Sequence, residues 1–150
     1  MKTLELIPNK SVGIFCLGSD VRKYTHIPHY LTKNKENDFS YESYDFYEQD
    51  IVVWVEKGRI ETLCCKNRCY WQGLNLIKMP FDEFQSLYNV VPDKSENIYL
   101  LVNGRGQNQT VYDFDKLGLQ IWGWRKKIVT VLVSNYQDCE DYGNIVVSSF

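Results

Sequence analysis

His26 and His29 are the only histidines in the chain. Three residues apart on a helix, they would present two metal ligands on one face. Pro28 stands between them and breaks the helix that this geometry needs. No third ligand follows nearby, so a packing or solvated role is expected. A Ser-His-Asp or Cys-His site would have to use one of these two rings, and no nucleophile is marked beside them. Cys64, Cys65 and Cys69 form a second candidate cluster. Neighbours on a strand point to opposite faces, so Cys64 and Cys65 do not readily share one ion. No His or second Cys pair follows at finger spacing. The cysteines read as small buried hydrophobes. The segment Asn103-Gly104-Arg105-Gly106 lacks the Lys-Ser/Thr of a phosphate loop and reads as a hairpin turn. Catalysis, a metal and a cofactor are therefore not expected.

A binding surface has a clearer trace. Residues 36–50 hold six acids, Glu36, Asp38, Glu42, Asp45, Glu48 and Asp50, and no base. Aromatics interleave with them, among them Tyr41, Tyr44 and Tyr47. Tyr gives rigid contact area and carboxylates give steering, a combination suited to a basic partner. Asp138, Glu140 and Asp141 form a second acidic stretch. The alternative for both is a solvated loop beside a strand whose aromatics enter the core. Trp54 and Trp122 could instead line a pocket for a small molecule or peptide.

The elements that position these residues repeat. Residues 44–65 and 112–133 align without a gap at an offset of 68, with Tyr44/Tyr112, Asp45/Asp113, Phe46/Phe114, Trp54/Trp122, Ile60/Ile128 and Thr62/Thr130 identical. Each copy reads as strand, strand, tight turn, strand. Gly58 sits at the second turn position of the first copy, whereas the second copy has Arg125-Lys126 and no Gly. Ile51, Val53 and Val55 alternate with Val52 and Trp54, the pattern of an interior strand covered on both sides. A helix is predicted before each copy. The first starts at Ser19 as N-cap and ends by Pro28. The second has Pro80 at its first position and Phe81, Phe84, Leu87 and Tyr88 on one face. Residues 98–102 and 109–114 make a further hairpin. The expected fold is α+β, mostly β: one domain over 1–150 built from two duplicated helix-plus-antiparallel-hairpin units (residues 12–71 and 73–136) and a tail, 137–150.

Composition agrees with a folded binding protein. Apolar residues are 44% and charged residues 24%, outside the range of disordered chains. A net charge of −2 excludes a general nucleic-acid clamp. No run of eighteen apolar residues suggests a membrane span, and MKTLELIPNK lacks the apolar region of a signal peptide. Alanine is absent, while Tyr, Val, Ile and Trp favour strands. Five cysteines, an odd number, fit reduced thiols in a cytosol.

The stretch Pro8-Asn9-Lys10-Ser11-Val12-Gly13, continuing to Leu17-Gly18, resembles a pattern in small bacterial proteins of toxin–immunity loci. There the pattern leads into a helix and then a Tyr-rich strand. Gly73-Leu74-Asn75-Leu76-Ile77 before the second helix is similar to its continuation. Here Ser19 directly follows Gly18, where that pattern commonly has Met. The duplicated plan is also similar to that of a tandem-repeat bacterial inhibitor of β-lactamase. The resemblance implies a cytosolic immunity protein of a contact-dependent growth inhibition or related polymorphic toxin system. Its partner would be the C-terminal domain of one cognate toxin, a nuclease with a basic active-site face, and it would engage neither nucleic acid nor membrane directly.

Overall fold

The computed structural model describes residues 3–36 and 39–134, the side chains of Glu36 and Phe39 excepted. Three short strands open the chain: β1 (Leu6–Ile7), β2 (Ser11–Val12) and β3 (Phe15–Cys16). A single 3-10 turn, Val21–Lys23, follows. Next come β4 (Tyr30–Glu36), β5 (Phe39–Phe46), β6 (Ile51–Glu56) and β7 (Arg59–Cys65). After β8 (Tyr70–Trp71), β9 (Leu74–Asn75) and helix α1 (Phe81–Tyr88), the chain ends its described course in β10 (Lys94–Val102), β11 (Arg105–Phe114), β12 (Leu119–Trp124) and β13 (Lys127–Ser134). The eight long strands form one antiparallel sheet in the order β10-β11-β12-β13-β7-β6-β5-β4.

This corrects the expected α+β fold of two helix-plus-hairpin units. The described chain is mostly β, α1 is its one α-helix, and the long strands belong to a single sheet. Where the first helix was predicted, the chain makes one 3-10 turn, capped by the Asp20 side chain on the Arg22 N–H and not by Ser19. Proline explains the difference. Pro28 lies four residues beyond the turn's last cap, Tyr24, and disfavours helical geometry at Ile27. Between Pro80 and Pro92 there is room for two turns of α1, which closes with Asn89 in the left-handed region.

The offset of 68 recurs in the strand pairing. Tyr44 opposes Val53 and Trp54 opposes Thr62 in the first stretch; Tyr112 opposes Ile121 and Trp122 opposes Thr130 in the second. A β-bulge follows Trp54 and another follows Trp122. The halves meet where β7 pairs with β13. There Cys64 faces Leu132, its own equivalent 68 residues later, so an approximate two-fold axis passes through that pair. The correspondence extends into segments of little sequence likeness. Ser11 and Val12 oppose Cys16 and Phe15, while Tyr70 and Trp71 oppose Asn75 and Leu74. Asp20 bridges Arg59, while Pro80 bridges Lys127.

Residues directly opposite in an antiparallel pair share a face. One face carries Ile51, Val53, Leu63, Ile121, Val131 and Val133, each at most 1% exposed. The short elements cover it: Phe15 packs on Phe46 at 4.9 Å, and Phe81 of α1 stacks on Tyr112 at 3.8 Å. The core thus lies between this face and a layer of β1–β3, β8, β9 and α1.

The two β-turns at the bulged hairpins have the same backbone and different residues. Lys57 and Gly58 have φ of 53° and 78°; Arg125 and Lys126 have 54° and 66°. Their carbonyls are used alike: the Gly58 oxygen accepts from Val21 N–H, and the Lys126 oxygen from Phe81 N–H. A side chain in the left-handed region costs about 1–2 kcal/mol. Introducing glycine costs about 0.4–1 kcal/mol through the unfolded chain. Lys126→Gly is therefore expected to stabilise the protein by about 0.5–1 kcal/mol. A melting temperature equal to or below the parent's, followed by circular dichroism, would show that turn strain is not the ruling term.

Candidate functional site

The second face of the sheet lies away from this core. A row of opposed residues crosses all eight strands on it: Tyr30, Asp45, Val52, Cys64, Leu132, Gln120, Asp113 and Lys94. The two-fold axis runs through its middle, so Asp45 and Asp113 occupy equivalent places. They differ in what surrounds them. Asp113 is 8% exposed and accepts a hydrogen bond from Gln120 Nε2 at 2.9 Å; Gln120 Oε1 in turn accepts from Trp122 Nε1 at 2.8 Å. Lys94 stands opposite it. In the first copy Val52 replaces Gln120 and Tyr30 replaces Lys94, so Asp45 has neither the amide nor the base.

Next to Asp45 the face becomes an exposed aromatic edge. Tyr30 is 66% exposed and Tyr47 is 43% exposed, and their rings stack at 4.6 Å. The β5–β6 turn places Glu48, also exposed, beside Tyr47. Arg22 pairs with Asp20 and Arg68 with Asp50, and neither pair involves Asp45 or Glu48. Two stacked phenols flanked by two carboxylates can receive a guanidinium, which stacks on the ring while its N–H groups meet the carboxylate.

The remaining sequence-predicted contact residues do not join this cluster. Tyr44 points to the core face, packs against His29 at 5.2 Å, and burial pushes its phenol above the ordinary value. It cannot anchor a partner. Glu42 lies on the core side of the ladder, directly opposite Lys33. Asp50 has φ of 57° and holds the β5–β6 turn, with Arg68 Nε at 3.2 Å and Asn67 Nδ2 at 3.1 Å. Tyr41 is half-buried, 6.4 Å from Trp54. Glu36 ends β4. Asp38, Asp138, Glu140 and Asp141 lie outside the described residues. Tyr30 was missed, because it stands six residues before the acidic stretch. Hairpin symmetry about residues 37–38 was the signal, since it sets Tyr30 opposite Asp45.

Trp54 and Trp122 share the second face but do not line one pocket. They stand on β6 and β12 with β7 and β13 between them. Three strand spacings across and four residues along separate them by about 20 Å. Trp124 is capped by the Arg125 guanidinium at 4.3 Å. Buried Gln109 has an Oε1 with no hydrogen-bond partner.

Of the groups first considered for catalysis, His29 and the cysteines Cys64, Cys65 and Cys69 are packed into the fold, and His26 is not. His29 Nδ1–H donates to the Ile27 carbonyl at 2.8 Å, and its ring lies against Phe46 at 5.5 Å; His26 is exposed. Cys64 points to the second face and burial pushes its thiol up to about 12. Cys65 points to the core, where the Cys69 thiol and then burial hold it well above its ordinary value. Among the described residues no group of three or more His, Cys, Asp or Glu could hold a metal, and no helix is long and apolar enough to cross a membrane. Comparison with protein-family models, curated proteins and solved structures returned no match to this chain.

Proposed function

We propose that this protein is a non-enzymatic inhibitor that binds the toxic C-terminal domain of a cognate bacterial toxin, a nuclease (RNase), in the cytosol. The observation that carries the reading is the exposed Tyr30–Tyr47 stack with Asp45 and Glu48 beside it. A nuclease holds phosphate and so presents Lys and Arg around its active site. Stacked tyrosines beside carboxylates are complementary to that chemistry, and Tyr is a frequent anchor of interfaces. The sheet beneath supplies rigidity, since Tyr30 and Asp45 are held by the β4·β5 ladder and Asp45 also by β6. The resemblance of residues 8–18 to toxin–immunity loci supports the choice of partner.

The test uses the toxic domain encoded by the neighbouring upstream reading frame. Tyr30→Ala with Tyr47→Ala should weaken binding by about 30-fold or more, the effect of losing a hot spot of 2 kcal/mol. Asp45→Lys with Glu48→Lys should slow association, and the difference should shrink as salt is raised. Unchanged affinity and growth protection in both double variants would remove this contact. Failure of the parent protein to bind and protect would remove the partner.

A further inference from the structure

The two edges of the sheet are protected unequally. β4 carries Lys33, Lys35 and Glu36, charges of the kind that keep an edge strand from pairing with another chain. β10 occupies the equivalent edge of the other half, since Lys94 opposes Asp113 as Tyr30 opposes Asp45. Its ladder runs on to Val102↔Arg105, two rungs further than the first copy's hairpin. The two added rungs put no charge on β10 itself, whose last five residues, 98–102, read Ile-Tyr-Leu-Leu-Val. Tyr99 and Leu101 are 67% and 68% exposed on one side, while Ile98, Leu100 and Val102 lie on the other. A Cβ at Gly106 would collide with the Tyr99 ring, so glycine there lets the ring lie flat on the hairpin. Among the described residues no strand pairs with the outer edge of β10. An unpaired apolar edge is a template for another strand.

We infer that β10 pairs antiparallel with β10 of a second copy of this chain, joining the two sheets in a two-fold dimer. Charge selects this occupant. Centred on Leu100, the pairing sets Ile98 against Val102 and Tyr99 against Leu101 of the other copy. Lys94 and Glu96 then fall beyond the other strand's end. An equivalent pairing of β4 with itself would crowd Lys33 and Lys35 of both copies together, which like charge disfavours. Pairing β4 with β10 would set those lysines against the apolar run and would build an open chain of copies, whereas β10 with β10 closes after two.

Sedimentation equilibrium on the full chain tests this. The expected mass at high concentration is twice the chain mass of 17.7 kDa, falling to one chain mass on dilution. Tyr99→Glu with Leu101→Glu, which sets like charges against each other across the dyad, should give the single chain mass throughout while keeping the parent far-ultraviolet circular dichroism. Lys33→Glu with Lys35→Glu should leave the dimer intact. Hydrogen exchange of the parent gives a measurement free of substitutions: amides within residues 98–102 that point away from β11 should lose protection on dilution, and those of β12 and β13 should not. A parent that remains at one chain mass up to its solubility limit overturns the inference. So does a folded Tyr99→Glu, Leu101→Glu variant that still dimerises, or β10 protection that arises only with a different protein.

Discussion

Gly118→Ala is expected to cost about 3–5 kcal/mol, a large part of the roughly 5–15 kcal/mol that holds a domain folded. Gly118 closes the 3-10 turn Asp115–Leu117 with φ of 63°. A Cβ there would run into the Ser134 carbonyl and the Asn9 side-chain oxygen. Neither can retreat freely. Ser134 is tied to the same residue, its N–H donating to the Gly118 oxygen at 2.8 Å, and Asn9 Nδ2 donates to the Lys116 oxygen at 2.6 Å. Left-handed strain and overpacking therefore add. Gly73→Ala isolates the first of these, because φ is 83° there and nothing lies within 4 Å of its Cβ. That variant should lose only about 1–2 kcal/mol. Urea unfolding of both, compared with the parent, gives the difference; equal losses would mean the collision at Gly118 is relieved at no cost.

Phe84→Ala should be nearly as severe, about 3–5 kcal/mol. Phe84 is 0% exposed and, with Phe81, carries α1 into the core. Its ring centre lies 5.3 Å from Tyr88, 5.7 Å from Phe114 and 6.2 Å from Trp71. Truncation leaves a cavity walled by rigid rings, which close poorly around it. Leu87, in the same helix, is 51% exposed. Leu87→Ala should stay within about 0.5 kcal/mol of the parent, as surface changes do. If the two variants melt together, α1 does not hold the cover layer to the sheet.

How far the chain could be read in advance differed by level. The strands of residues 44–65 and 112–133 were legible because alternation and a gap-free offset are local properties. Trp54 and Trp122 were correctly matched, and their ladders and bulges coincide. The predicted first helix failed on a local conflict. Ser19 and Asp20 gave a start signal, but Pro28 left too little chain to continue it. The equivalence of β2–β3 with β8–β9 was illegible, because Val12/Trp71 and Phe15/Leu74 preserve only apolar character while the backbone preserves the pairing. For the candidate site, charge density picked out a stretch of chain. It did not reveal that Tyr44 is buried, that Glu42 meets Lys33, that Asp50 meets Arg68, or that Tyr30 completes the exposed cluster.

Two things were determined by the order of residues alone: strand alternation and the offset of 68. Both depend on contacts a few residues apart or on direct comparison of the chain with itself. Which acids stand free, which edge is open, and which pair marks the two-fold axis were decided by the fold. Those properties arise when Cys64 pairs with Leu132 and eight strands come into one sheet. A side chain's exposure and charge environment depend on neighbours brought from tens of residues away, and strand pairing across the seam is the step that chooses them.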